Sequence, residues 1–307
     1  LVTGSSKDTH FWRGILGKAT PGFIGPYRLL NVVNTGQTSK IWQAYDDAAQ
    51  EICGIKVLLE DFQRNREHIG YLRQEFVVGE KLRDKRIIQI NDFASDRGAY
   101  YLAMEWFPAP NMKHLIRHEF EHTQIIASKL IEQMAEALAY LNEHGWVHRD
   151  IKPDNYLVSA KGQLKLIDFA LSQKSKGGLA KLLNPKSKVQ GTRSYMSPEQ
   201  IRGGSLDSRS DLYSLGCTIF ELLSGKPPFT GSNANELLMK HIKSSPPTLE
   251  SANKNVTPEF GALIRQAMAK KPNSRQKSVT DFLTQFRMVQ VFKRAPKPPE
   301  QTEKADT

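Results

Sequence analysis

Residues 146–158 read WVHRDIKPDNYLV, and residues 164–170 read LKLIDFA. Asp150, Lys152 and Asn155 stand close together in the first stretch, and Asp168 follows in the second. Two carboxylates, an amide oxygen and an ammonium are thereby gathered into one loop and its neighbour. Hard oxygens of this kind bind a divalent cation, and one carboxylate stays available as a base. The short apolar runs at 156–158 and 164–167 read as strands flanking the loop.

Upstream of the loop, residues 125–144 (IIASKLIEQMAEALAYLNEH) repeat apolar positions at i, i+3 and i+4 and stop before Gly145. That pattern predicts a long amphipathic helix with a glycine stop. Downstream, similar patterns predict helices at 211–224, 235–244, 258–269 and 279–290. Before Pro108 and Pro110 the character differs: 27–44, 52–59, 87–93 and 100–106 read as strands, with one helix at 66–82. Strands with one helix, then mostly helices, predict an α+β protein of two lobes with a hinge near 105–110. The expected division is a lobe at 27–107 and a second at 108–290. Residues 1–26 and the Pro- and charge-rich 291–307 are expected to be a poorly structured extension and a linker-like tail. No internal repeat is visible.

The 307 residues carry 43 Lys+Arg against 32 Asp+Glu, a net charge of +11, with 39% hydrophobic residues. This is enough apolar material for a sizeable core and excludes intrinsic disorder as the main state. Two distant cysteines, Cys53 and Cys217, exclude a disulfide scaffold or a cysteine zinc module and fit a reducing compartment. No charged start followed by an apolar run opens the chain, and no stretch is long and apolar enough to span a membrane, so neither a signal peptide nor a membrane segment is expected.

The run His148-Arg149-Asp150-Ile151-Lys152-Pro153-Asp154-Asn155 resembles the catalytic loop of Hanks-type serine/threonine protein kinases, and Asp168-Phe169-Ala170 resembles their metal-binding triplet. Further motifs follow in the family's order. Gly54-Ile55-Lys56 resembles the strand whose lysine holds the α- and β-phosphates of ATP, and Glu75 its ion-pair partner, with Glu80 the alternative. Met104-Glu105-Trp106-Phe107 resembles the segment that meets the adenine edge. Residues 191–199, GTRSYMSPE, resemble the end of an activation segment, with Ser197 in the usual place of Ala; Arg275 is the expected partner of Glu199. The run YMSPEQIRGG leans toward the bacterial branch.

The resemblance implies a two-lobed protein-kinase-like α+β fold, with a small β-rich N-lobe and a larger helical C-lobe. It implies ATP and Mg²⁺ as cofactors and phosphoryl transfer to Ser/Thr hydroxyls of protein substrates, including autophosphorylation and self-association in trans. Asp150 would take or orient the hydroxyl proton, Lys152 would offset charge on the transferred group, and Asn155 and Asp168 would hold the metal. Lys56 and Glu75 complete the catalytic set. Asn34, Gly36, Ser39, Ile41, Gly54, Lys56, Met104, Glu105, Phe107, Leu157 and Asp168 are the implied nucleotide-binding residues. Arg149 is the implied phosphate partner of an ordered activation segment. The implied location is the cytoplasm, with the tail reading as a connection to further sequence such as that of a membrane-anchored receptor kinase.

Three departures carry expectations of their own. The loop Asn34-Thr35-Gly36-Gln37-Thr38-Ser39-Lys40-Ile41 keeps only the middle glycine of GxGxxGxV, which predicts weaker ATP binding where a Cβ opposes a left-handed backbone. Ala170 replaces a glycine without removing a metal ligand. Gly79 stands where the family places an apolar side chain, which predicts a hole and an active arrangement dependent on a partner or phosphorylation. An inactive, pseudokinase-like scaffold is the competing reading.

A formal zinc-peptidase motif is also present. His118-Glu119-Phe120-Glu121-His122 fits HExxH, with His114 one turn earlier, Glu119 as base and Glu143 as a later ligand, while Thr123 reads as the cap of the next helix. A surface histidine cluster is the plainer account. The excess charge concentrates between 169 and 198, where Lys174, Lys176, Lys181, Lys186, Lys188 and Arg193 occur without an Asp or Glu. This favours acidic or phosphorylated peptides, or the segment's own phosphate, over nucleic acid, with a solvated loop as the plain alternative. Ser172, Ser175, Ser187 and Thr192 are the candidate phosphosites, Ser187 foremost; Thr192 is expected instead to order Asp150 and Lys152.

Overall fold

A computed structural model describes residues 22–175 and 190–297 and divides the chain into two compact units. The first comprises Leu1–Arg83 (described from Gly22), Ile88–Pro108 and Asp168–Ala170; the second comprises Asp84–Ile87, Ala109–Ile167 and Leu171–Thr307.

The first unit is built on an antiparallel sheet of β1 (Phe23–Ile24), β2 (Tyr27–Thr35), β3 (Ser39–Asp46), β4 (Glu51–Leu58), β5 (Ile90–Asp96) and β6 (Ala99–Glu105). The strands lie in the order β1-β2-β3-β4-β6-β5, so consecutive hairpins are interrupted where β6 inserts beside β4. Alternation of apolar residues drives one face of the sheet inward. Ile24, Tyr27, Leu29, Trp42, Ala44, Cys53, Ile55, Val57, Tyr101 and Ala103 form its core, with Tyr27 edge-on to Tyr101. The helix α1 (Arg66–Gly79) starts where the Asn65 carboxamide oxygen accepts from the backbone N–H groups of Glu67 and His68, a side-chain cap for free helical donors. Two expectations are corrected here. The strand expectation at 27–44 resolves into two strands around the turn at 36–38, and the extension expected to be unstructured contributes β1, which pairs with β2.

In the second unit α2 (Met112–His118) and α3 (Phe120–Glu143) are followed by β7 (Trp146–Val147), β8 (Tyr156–Val158), β9 (Leu164–Leu166) and β10 (Gln173–Lys174). Then come α4 (Pro198–Ile201), α5 (Ser208–Ser224), α6 (Ala234–Lys243), α7 (Leu249–Ala252), α8 (Pro258–Ala267) and α9 (Val279–Phe286). The long helix begins at Phe120 rather than 125, so Thr123 lies inside it and donates its hydroxyl to the Glu119 carbonyl instead of capping. The helix α5 is buried on nearly every face, polar residues such as Asp211 and Glu221 included, and packs beside α3. Phe260, Phe282 and Phe286 close the core at the far end through ring contacts. The linker-like tail is partly docked: Phe292 bridges to Val256, and Asn255 binds the backbone of Lys293 and Arg294. None of the described helices is long and apolar enough to cross a membrane.

Candidate functional site

In the first unit, Lys56 on β4 meets Glu75 on α1 with Nζ to Oε2 at 2.6 Å, and lies 3.8 Å from Asp168 Oδ1. Position 75 on α1 turns toward the sheet, so the carboxylate is buried. Burial pushes the Glu75 carboxyl up to about 7, against the pull of Lys56 and with a further push from Asp168. Burial opposes the Lys56 charge as well, but Asp168 and Glu75 outweigh it and hold the ammonium above its ordinary range. Asp168 adopts a left-handed backbone (φ 66°), and Phe169 after it is fully buried. A non-glycine residue in that region is strained, and such strain gathers at functional sites.

Position 79 carries no hole. A Cβ on Gly79 would meet Ile90, whose Cγ1 would be 2.7 Å away; the isoleucine of β5 fills the space a side chain would take. The expectation of a cavity is thereby corrected. Nor do the missing glycines of the β2–β3 turn leave backbone strain. Asn34 faces Ile41 across the hairpin, Gly36 N–H donates to the Ser39 carbonyl at 2.9 Å, and neither Asn34 nor Ser39 has a positive φ. Gly54 and Met104 are register partners, with Met104 Cγ only 3.1 Å from where a Cβ on Gly54 would stand. The Glu105 carboxylate accepts from the Gln89 N–H at 2.8 Å, so that side chain is committed to the backbone. Phe107, two residues past the end of β6, is half-buried.

In the second unit the loop between β7 and β8 gathers Asp150, Lys152 and Asn155. Lys152 Nζ donates to Asp150 Oδ2 and to Thr192 Oγ1, each at 2.7 Å, while Thr192 N–H donates to Asp150 Oδ1 at 2.8 Å. Asn155 turns its amide nitrogen to the Asp150 carbonyl at 2.8 Å, so its oxygen faces the other way. The expectation that Thr192 orders Asp150 and Lys152 fits this geometry. The sequence singled out no role for Asp211, yet its buried carboxylate accepts from the N–H groups of His148 and Arg149 at 2.8 and 2.9 Å. Burial raises its pKa despite these donors and the nearby His148. It pins the backbone just ahead of Asp150, and its sequence signal was only its place at the start of the helix expected over 211–224. Leu157 on β8 faces Lys165 across the β8–β9 pair and is half-buried. Glu199 and Arg275 form the expected pair, with the two terminal guanidinium nitrogens on the carboxylate at 2.7 and 2.9 Å.

An amide oxygen at Asn155 and a carboxylate at Asp168 are the hard donors that a magnesium-sized cation takes, so the residue types fit the implied metal. The zinc-peptidase motif does not fit. His118 ends α2, Glu119 leaves helical geometry (φ −134°, ψ 37°), and His122 belongs to α3, so the two imidazoles do not share a helical face. Among the described residues no three His, Cys, Asp or Glu side chains are grouped to hold a metal ion. His114 and His118 instead lie ring to ring at 4.5 Å on α2.

Of the basic segment, Lys174 sets its ammonium 4.2 Å from the centre of the Trp146 ring. Lys176, Lys181, Lys186, Lys188 and Ser187 lie outside the described residues. Ser172 is buried, and Thr192 is engaged as above.

The profile of the family described as "Protein kinase domain" matches residues 27–287. The chain is 31% identical over 258 residues to the serine/threonine-protein kinase PrkC of Bacillus subtilis, covering 84% of this chain and 39% of that protein. It is 31% identical over 279 residues to PknA of Mycobacterium tuberculosis, covering 89% and 63%. With PknB of Mycolicibacterium smegmatis it shares 28% identity over 260 residues, covering 83% and 41%. The chain thus spans between 39% and 63% of the length of these relatives.

Proposed function

The chain belongs to the protein kinase family, and from its likeness to Hanks-type bacterial members we propose that it is a serine/threonine kinase that moves the γ-phosphoryl group of ATP to protein hydroxyls, its own included. The single observation that carries this reading is the pinning of Asp150: Lys152 and the Thr192 N–H each hold one carboxylate oxygen. A fixed carboxylate of this kind is what a base needs in order to receive or orient a hydroxyl proton. Lys152 brings a positive charge to the same point, where it offsets negative charge developing on the group in transfer. Lys56, held by Glu75, is presented as a fixed ammonium for the phosphates of the nucleotide.

Asn155 and Asp168 would hold Mg²⁺, which would neutralise charge on the phosphate oxygens and ease departure of the nucleoside diphosphate as the γ-phosphoryl group is transferred. Asn34, Gly36, Ser39, Ile41, Gly54, Met104, Glu105, Phe107 and Leu157 are proposed to meet ATP, with Glu105 acting through its backbone because its carboxylate is already bonded. Self-association for phosphorylation in trans, a preference for acidic or phosphorylated substrates and a cytoplasmic setting belong to the same proposal. The free, buried thiols Cys53 and Cys217 accord with a reducing compartment.

Incubation with Mg²⁺ and ATP, followed by intact-mass measurement, tests the reading. Added mass in multiples of one phosphate, lost in Asp150→Asn, is the expected result. No added phosphate on the chain or on a generic protein substrate, beside a working control kinase, would favour the scaffold reading.

A further inference from the structure

Gln200 directly follows the Ser197-Pro198-Glu199 motif and takes no part in the chemistry assigned so far. It sits on α4, where the Ser197 hydroxyl oxygen accepts from its N–H, and its side chain is 2% exposed. Its amide nitrogen donates twice: to the Arg149 carbonyl at 2.9 Å and to the Gln190 carbonyl at 2.6 Å. A primary amide has two N–H donors on one nitrogen, and both are spent here on backbone that is far apart in sequence.

The first of those carbonyls belongs to the residue before Asp150. Arg149 has a left-handed backbone (φ 71°), a conformation that a non-glycine residue keeps only when its surroundings over-determine it. The Asp211 carboxylate holds its N–H side at 2.9 Å, and Gln200 holds its carbonyl side. The second carbonyl precedes Gly191 and Thr192, whose backbone and hydroxyl groups hold Asp150 and Lys152. Gly191 runs so close that a Cβ there would lie 3.0 Å from the Arg149 oxygen and 3.0 Å from Gln200 Nε2, and its φ of 115° suits glycine alone. Gln200 therefore stands at the join between the two chain segments that between them fix Asp150.

We infer that Gln200 is a positioning residue for phosphoryl transfer, a double hydrogen-bond donor that locks the Arg149–Asp150 peptide to the segment carrying Thr192. The inference rests on Asp150 being the base. The demand on position 200 is chemical as well as steric. Methionine keeps the length and volume but donates nothing, leaving two carbonyls without this donor. Glutamate keeps the shape but turns an acceptor oxygen toward both carbonyls.

The test compares Gln200→Met and Gln200→Glu with the parent chain by steady-state kinetics, thermal melting and hydrogen–deuterium exchange, with Asp150→Asn in parallel. The expected result for Gln200→Met is a fall in kcat of roughly 10- to 100-fold, the size expected when a reacting group is displaced by about 1 Å, with KM for ATP within about twofold. Gln200→Glu falls further. The Thr192 amide, which donates to Asp150, exchanges faster in both, while amides in α3 and α5 keep their protection. A kcat within about twofold of the parent, or a loss accompanied by faster exchange throughout the unit and a matching drop in melting temperature, overturns the inference. If Asp150→Asn keeps full activity the base assignment fails, whereas faster exchange confined to Thr192 and its neighbours still establishes what Gln200 holds.

Discussion

Ile90 occupies the space that a side chain at position 79 would need: its Cγ1 lies 2.7 Å from where a Cβ on Gly79 would stand. A glycine on α1 and an isoleucine on β5 are thus one packing unit. The smaller residue is compensated in place, with Glu75 of the same helix paired to Lys56 on β4. Gly79→Leu is therefore expected to overpack the site and cost about 1–3 kcal/mol. Ile90→Ala alone should cost about 2–5 kcal/mol through the cavity it leaves. The double variant should recover part of both losses, because residues in contact do not behave additively. Urea unfolding of the four proteins measures this, and strict additivity would show that the two positions do not share one space.

Activity should rise with pH through the range in which Glu75 ionises. Burial lifts its carboxyl to about 7; above that value the carboxylate holds Lys56, and below it the protonated form gives up the ion pair. The measurement is kcat/KM for ATP across roughly pH 5.5 to 8.5, where this constant reports groups on the free enzyme. Glu75→Gln is expected to lower the plateau and remove the acid limb. An identical limb in that variant would assign the titration to another group.

Thr192→Val removes the hydroxyl that accepts from Lys152 but keeps the backbone N–H that holds Asp150. Hydrogen bonds to charged groups are worth about 1.5–3 kcal/mol, so kcat should drop roughly 10- to 100-fold. KM for ATP should change little. Thr192→Ser, which restores the acceptor, is expected to recover most of the loss.

Glu199 and Arg275 are a structural pair, and their loss should register first as stability. Removing one partner of a buried ion pair costs about 3–5 kcal/mol, the expected penalty for Arg275→Met in denaturant unfolding. Burial works to raise the Glu199 carboxyl, but Arg275 and the Ser210 hydroxyl prevail and hold it below its ordinary value. A depressed carboxyl stabilises the fold above its unfolded-state pKa, and this contribution is lost as pH falls through the folded-state value. Parent protein should therefore lose stability on acidification over that range, and Glu199→Gln should lose less of it.

Much of the chemistry was legible because it is local. Asp150, Lys152 and Asn155 fall within one short loop, and spacing of that kind survives in any fold that keeps the loop, so residue order alone pointed to the reaction class. The helices followed from apolar periodicity for the same reason. Choices between neighbours were less readable. Glu75 on α1 and Glu80 just past its end are both candidates, and only the packing of that helix turns one of them to Lys56. The HExxH pattern looked continuous until the backbone at Glu119 split it between α2 and α3.

What the sequence by itself determined is therefore the α+β architecture, the family and the set of candidate groups for the proposed chemistry, since these rest on short-range spacing and periodicity. The tertiary structure alone decided which partner each group takes. It set Ile90 into the gap at Gly79, placed Lys174 over Trp146, and brought Gln200 to two carbonyls from distant segments. The physical reason is that burial and hydrogen-bond satisfaction depend on neighbours supplied by the whole unit, so a buried group's partner is chosen by long-range packing and leaves little mark in the residues beside it.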